Sequence, residues 1–293
     1  MSDAEPGPPL VVLAAGRARR YGGCKPLAPV GPGGEAVIDL VAGDAVAAGF
    51  ATIVLVVSPV TGPAIRYHVE HRWPGDLDVA FATQESPLGT VHAVLAAHDH
   101  LRGGVGFGVA NADDLYGAGA LALLVERLGS DPEPDTVIAY RLRHAIVGDS
   151  PVTRGICAVD ADGRLSAIDE RRAVRALGDG RFVAEDGRAP AELDGDTLVS
   201  MNLWGFGPAM LATFERAMAE ARDASEEAEV LLPEVVGRAL GGAAGGPAAR
   251  FEVLAAPGRC IGVTHPGDLG LVQAEIARQV GAGDRPAQPW PER

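Results

Sequence analysis

The sequence predicts an α/β fold in which a mixed, mostly parallel sheet is flanked by helices and carries an antiparallel insertion in its second half. Three observations predict it. Short continuous apolar runs such as Leu10 to Ala15 and Thr52 to Val57 have the pattern of strands buried on both faces of a parallel sheet. Stretches with helical spacing alternate with these runs as far as about Arg143, as helical crossovers between parallel strands require. After Arg143 the texture changes to hairpin-like segments joined by polar, glycine-rich connections.

Taken in order, the first strand at Leu10 to Ala15 runs into a glycine-rich loop. A helix over Ile38 to Phe50 and a strand at Thr52 to Val57 complete a β-α-β unit. The alternation continues with a helix near Pro63 to His71, a strand at Val79 to Ala82, a helix from Thr90 to about His100 and a strand at Val105 to Ala110. A helix at Ala118 to Leu128 and a strand at Thr136 to Arg141 follow. Arg154 to Val159 and Arg164 to Asp169, separated by Asp160-Ala-Asp-Gly163, form a hairpin with an Asp-Gly turn signal. Arg171 to Asp196 is polar and charged without clean periodicity and reads as a loop or flap. Thr197 to Phe206 is strand-like, Pro208 to Arg222 and Glu226 to Leu240 are helical, and Arg250 to Leu254 is a late strand. A last helix near Pro266 to Val280 precedes a proline-rich tail, and no internal repeat is present.

Composition bounds the function. A length of 293 residues with 47% hydrophobic side chains can fill a sizeable core, and the formal net charge of −14 argues against nucleic acid as the main partner. Three widely spaced cysteines, Cys24, Cys157 and Cys260, form no CxxC pair, which fits a reducing cytoplasm. No apolar run approaches the ~18 residues of a membrane span, and Met1 to Pro9 reads as a short disordered leader.

Against this acidic background, Leu10 to Gly34 carries Arg17, Arg19, Arg20 and Lys25 and no acidic residue. The loop offers backbone N–H groups at Ala15 and Gly16, close approach at Gly22 and Gly23, and Arg20 and Lys25 to neutralise charge, which is what a triphosphate requires. It is neither a Walker loop nor a dinucleotide fingerprint, and the GxGxxA at Gly117 to Ala122 follows no strand directly. Gln84-Glu-Ser-Pro-Leu-Gly-Thr90 places an amide that can donate and accept, and a glycine that permits close approach, before a helix that Thr90 could cap. Val109-Ala-Asn-Ala-Asp-Asp-Leu115 runs an apolar strand out into two carboxylates at the sheet's carboxyl edge, where oxygen ligands suit Mg²⁺ or an aspartate caps the next helix. His98 and His100 sit two apart and diverge, so they form no metal pair. Cys24 beside Lys25 is read as packing rather than as a reactive thiolate.

These motifs, in their order, resemble the sugar-1-phosphate nucleotidyltransferases. LAAGRARRYGGCKPLAPVG is similar to the family's signature loop, with the compact spacing of the uridylyltransferase and molybdopterin-nucleotidyltransferase branches. The resemblance extends from about Val11 to Leu269 and implies a Rossmann-like fold. It also implies a single domain over 10–281, with a nucleotide-binding half at 10–143, an acceptor-binding half at 144–281 and a tail at 282–293. By it, Leu13, Ala14, Ala15, Gly16, Gln84, Gly89 and Thr90 bind the nucleotide, Arg20 and Lys25 hold phosphates, and Asp113 holds Mg²⁺. Gly155, Glu170, Arg171 and Asn202 match the acceptor elements, Arg171 standing where the family has a lysine that contacts the sugar phosphate.

The implied reaction is attack of a sugar-1-phosphate-like acceptor on the α-phosphorus of a nucleoside triphosphate, UTP or dTTP by preference, with pyrophosphate leaving. No protein nucleophile is required, and the chain is compatible with a homo-oligomer. Gly262-Val-Thr-His-Pro-Gly-Asp-Leu269 departs from the pattern, because Gly262 stands where an aspartate often completes the metal site. Thr264 and His265 are weak substitutes, and Asp268 is expected to cap the last helix. The missing carboxylate leaves a non-catalytic nucleotide-sensing subunit as a second reading and a molybdopterin-type acceptor as a third.

Overall fold

The computed structural model describes residues 7–16, 23–101, 103–130, 135–146, 148, 150–178, 180–225, 227–242, 248–263 and 266–290. The first half follows the predicted alternation: β1 (Pro9–Leu13), α1 (Val37–Ala48), β2 (Thr52–Val57), α2 (Gly62–Arg72), β3 (Val79–Thr83), α3 (Gly89–Ala96) and β4 (Phe107–Asn111). A two-residue strand β5 (Asp114–Leu115), α4 (Ala118–Ser130) and β6 (Asp135–Arg141) follow. The second half contains β7 (Val152–Val159), β8 (Leu165–Ala176), β9 (Phe182–Ala184), β10 (Glu192–Leu193) and β11 (Leu198–Phe206). It continues through α5 (Ala209–Ala224), α6 (Leu232–Leu240), β12 (Phe251–Ala255), β13 (Ile261–Gly262) and α7 (Leu269–Ala282).

One sheet runs through both halves in the order β10-β9-β8-β7-β11-β4-β1-β2-β3, with β6 pairing β11 and β12 pairing β6. β4, β1, β2 and β3 are parallel, and β11 turns the direction by pairing antiparallel with β4, β6 and β7. The apolar runs explain this order. Val11 and Val12 of β1 and Val54 to Val56 of β2 are fully covered, so each strand has a hydrophobic layer on both faces. One layer holds Leu10, Val12, Leu55 and Ile38, and the other holds Val11, Val54, Val91 and Phe214. Among the described residues, no helix is long and apolar enough to cross a membrane.

Two expectations are corrected. The segment from Arg171 to Asp196 is not a loop. β8 continues through it to Ala176 and pairs with β9, which pairs with β10, because Arg171, Val174, Phe182 and Ala184 are buried while charged neighbours such as Arg172 and Glu185 face water. The helix expected from Glu226 begins only at Leu232, and Pro233 occupies its first turn. The chain beyond α7 is docked as far as Trp290: Arg285 forks the buried Asp44 at 2.8 and 2.7 Å, and Trp290 packs on Trp73. Gly43 of α1 admits this approach, since a Cβ there would lie 2.2 Å from the carbonyl oxygen of Pro289.

Candidate active site

The carboxyl ends of β1 and β4 open into a cavity of 520 Å³. Leu13, Ala15, Gly16, Gln84, Gly89, Thr90 and Asp113 line it, so most of the predicted nucleotide residues converge. Ala14 does not: it is buried in the strand layer, its carbonyl accepting from the Thr61 hydroxyl at 3.0 Å. Asn111, Glu229 and Leu231 also line the cavity and were not singled out from sequence. Arg20 lies outside the described residues, as do Thr264 and His265.

Lys25 opens a 3-10 turn at Lys25–Leu27, whose first position is followed by Pro26. Its Nζ lies 3.3 Å from Asp113 Oδ2, bringing together a cation from the connection between β1 and α1 and a carboxylate just beyond the end of β4. Cys24 beside it is half-buried, and burial pushes its thiol pKa up, consistent with a packing role.

Gln84 is buried between β3 and α3, and its Nε2 donates to the Gly89 carbonyl at 3.0 Å. That bond fixes the amide with Oε1 as its acceptor. Gly89 has φ +92°, and a Cβ on it would meet the Val230 carbonyl oxygen at 2.3 Å and the Val230 nitrogen at 2.6 Å. The glycine therefore serves first the close packing of the Val230 backbone. Thr90 does not cap its own helix; its hydroxyl accepts the Leu232 N–H at 2.8 Å and so satisfies the start of α6.

A second cavity, of 180 Å³, adjoins the first through Asn111, which lines both. Gly155, Glu170 and Asn202 line it, with Asp114, Arg154, Ser200 and Pro233. Asn202 sits at φ +58° where the β11 register shifts, its Oδ1 accepting from Trp204 Nε1 at 3.2 Å. Arg171 is the correction. Its guanidinium forks Asp186 at 2.7 and 2.9 Å and bonds the carbonyls of Pro190 and Arg188, so it is a buried strut of the β8 region and does not line the cavity. Arg154, directly across from it in the β7–β8 register, lines the cavity instead.

Asp114 does not cap α4. It lies in β5, accepts from Asn111 Nδ2 at 2.8 Å, and its pKa is pushed up to about 6 by burial and by the neighbouring Asp113. The glycine at 262 has a steric reason: β13 pairs with β5, and a Cβ on Gly262 would lie 2.3 Å from Asp114 Oδ1. Among the described residues no group of three His, Cys, Asp or Glu side chains is placed to hold a metal. Asp113 with Asp114 or Asn111 is nonetheless a donor set of the oxygen type that Mg²⁺ accepts when substrate phosphates and water complete its shell.

No curated protein sequence matches the chain. Among solved structures, the inositol-1-phosphate CTP transferase from T. maritima superposes with a TM-score of 0.62 at 13% identity, over 92% of this chain and 96% of that one. A protein from Bacillus anthracis described as a glucose-1-phosphate thymidylyltransferase, in complex with a sucrose, superposes with a TM-score of 0.66 at 11% identity, over 91% and 94%. These likenesses are of fold. A sequence model of the MobA-like NTP transferase domain matches residues 10–177, more than half of the chain and the stretch that supplies Lys25, Asn111, Asp113, Arg154 and Glu170; the protein belongs to that family.

Proposed function

We propose that this nucleotidyltransferase moves a nucleoside monophosphate from a pyrimidine nucleoside triphosphate to a sugar-1-phosphate-like acceptor. The observation that carries the reading is the junction: two polar cavities, one large and one the size of a single ring, share Asn111 beside the Lys25–Asp113 pair. An acceptor phosphate oxygen attacks the α-phosphorus, a P–O bond forms there, and the bond to the β-phosphate breaks with its electron pair leaving on pyrophosphate. The work of the chain is alignment and charge placement. Lys25 supplies positive charge at the reacting phosphate, Arg20 is the proposed partner of the leaving phosphates, and Gln84 Oε1 accepts an N–H from the base edge. Uracil and thymine meet that requirement through N3–H, as UTP and dTTP would, and cytosine meets it through its 4-amino group. Asp113, with Asp114 or Asn111, would hold Mg²⁺, which when bound offsets the negative charge of the triphosphate.

The small cavity carries carboxylate, amide and hydroxyl groups and no aromatic side chain, which suits a polyhydroxylated ring better than a flat tricyclic pterin. The two structural neighbours, whose described activities act on inositol-1-phosphate and glucose-1-phosphate, support the same class. Pyrophosphate release across a panel of triphosphates and sugar or cyclitol phosphates tests the proposal. Turnover is expected with at least one pair, and Lys25→Ala is expected to lower it by about 10²–10³-fold with an unchanged melting temperature. Nucleotide binding without turnover across the panel, or near-normal turnover in Lys25→Ala, overturns it.

A further inference from the structure

A guanidinium has five N–H donors and no acceptor, and its charge is costly to withdraw from water unless an anion replaces the solvent. The two most deeply buried arginines meet that condition in the usual way, Arg171 by forking Asp186 and Arg285 by forking Asp44. Arg154 does not. Its Nε and one terminal nitrogen donate to the Ala145 carbonyl at 3.2 and 2.6 Å, and the other terminal nitrogen donates to the Thr153 carbonyl at 2.8 Å. No described carboxylate lies within ion-pair distance of it. One N–H on each terminal nitrogen is left over, on a side chain that lines the small cavity. Burial is the leading influence on this group and pushes its pKa down, against the pull of Asp114.

We propose that Arg154 is the anion-binding residue of the small cavity and takes the phosphate of the acceptor, in the role that the family resemblance implies for Arg171. The inference rests on the transferase reading for the identity of its ligand, though the anion site itself does not. Two spare N–H groups on one planar cation form the fork that a phosphate accepts, which a lysine cannot reproduce. Arg154 is held on β7, with its neighbour Gly155 also lining the cavity, so the fork is presented from a strand rather than from a loop. The charges of Arg154 and Lys25 both favour the ionised form of Asp114, so both cations act on the junction of the two cavities. Glu170 is an acceptor and serves the hydroxyl groups of the ring. Arg171 stands opposite Arg154 in the ladder and is neutralised by Asp186, which leaves Arg154 as the cation of the pair that is open to a ligand.

The test is thermal stabilisation by inorganic phosphate with the nucleotide site held full by a non-hydrolysable triphosphate analogue, together with steady-state kinetics for each substrate. Phosphate is expected to raise the melting temperature of the wild type. Arg154→Gln should abolish most of that rise and increase the acceptor KM by about 10- to 100-fold, the factor for losing a charge-assisted contact, while the triphosphate KM stays within about twofold. Arg154→Lys, which keeps the charge and loses the fork, should fall between the two and serves if the glutamine variant does not fold. Arg171→Met should lower the melting temperature and leave the phosphate response intact. A phosphate response absent from the wild type, or equal in wild type and both Arg154 variants, overturns the proposal and leaves Arg154 as a clamp on the Ala145 carbonyl. A response that depends on Arg154 in a protein that turns over no acceptor upholds the anion site and refutes the transferase reading instead.

Discussion

Replacing Gly89 with alanine separates two explanations of that residue. If Gly89 only lets a base approach the backbone, the variant keeps its stability and loses nucleotide affinity. The packing of Val230 predicts the opposite emphasis. A side chain at φ +92° costs about 1–2 kcal/mol, and forcing a methyl group to within 2.3 Å of the Val230 carbonyl oxygen adds about 1–3 kcal/mol of overpacking. The backbone bonds from Val91 N–H to the Val230 carbonyl, at 3.1 Å, and from Val230 N–H to the Leu88 carbonyl, at 3.0 Å, run through the same contact and cannot yield independently. The expected loss is about 2–5 kcal/mol, or roughly 3–8 °C in melting temperature for a chain of this size. Differential scanning calorimetry of the ligand-free protein measures it. A melting temperature within about 1 °C of wild type refutes the packing argument, and a normal melting temperature with a raised triphosphate KM restores the explanation through the base.

Two further perturbations follow from the buried ion pairs. Arg285→Met leaves Asp44 buried without its cation and should cost about 3–5 kcal/mol, measured by chemical denaturation; the double variant with Asp44→Leu should recover much of the loss. Asp186 has its pKa held well below the usual carboxylate range by the Arg171 guanidinium, helped by the backbone N–H groups of Arg188 and Arg172. Its stabilising contribution is therefore complete above an unfolded-state value of about 4 and is lost as the pH falls below it toward the folded value. In melting curves recorded from pH 6 down to pH 2, the gap between wild type and Arg171→Met should be constant above about pH 5 and shrink below about pH 4. A gap that does not depend on pH removes Asp186 as the cause.

The alternation of fully apolar strands with amphipathic helices carried most of the first half, because strands covered on both faces leave an unmistakable pattern. The β8–β10 extension was obscured by its composition. Its outward positions carry Arg172 and Glu185, and such a run looks like solvated loop until the inward Val174 and Ala184 are seen to be paired. Glu227 to Leu231 misled in the opposite direction, since charged residues favourable to a helix are here drawn into an irregular segment by the Val230 and Leu232 backbone bonds. In the site, residues at strand ends such as Asp113 and Gln84 were legible because topology brings strand ends together. The choice between Arg154 and Arg171 was not, because the two stand opposite each other on adjacent strands and only the position of Asp186, brought in by a later turn, decides which one is neutralised. Gly262 was legible as a departure but not in its meaning, which depends on a cross-strand neighbour, Asp114.

The short segment from Glu229 to Pro233 is a party wall. Glu229 and Leu231 face the larger cavity, Pro233 faces the smaller, and the Val230 and Leu232 backbones between them are fastened to Leu88, Thr90 and Val91. An alteration on one side of such a partition moves the other side too. On the proposed assignment of one substrate to each cavity, substitutions within these five residues are expected to shift the apparent affinities for both together, whereas changes at Ala93 or Ser200, each of which borders one cavity, shift only one. Redesign of acceptor selectivity in this enzyme is therefore better begun from the β11 side, where a change in one compartment leaves its neighbour as it was.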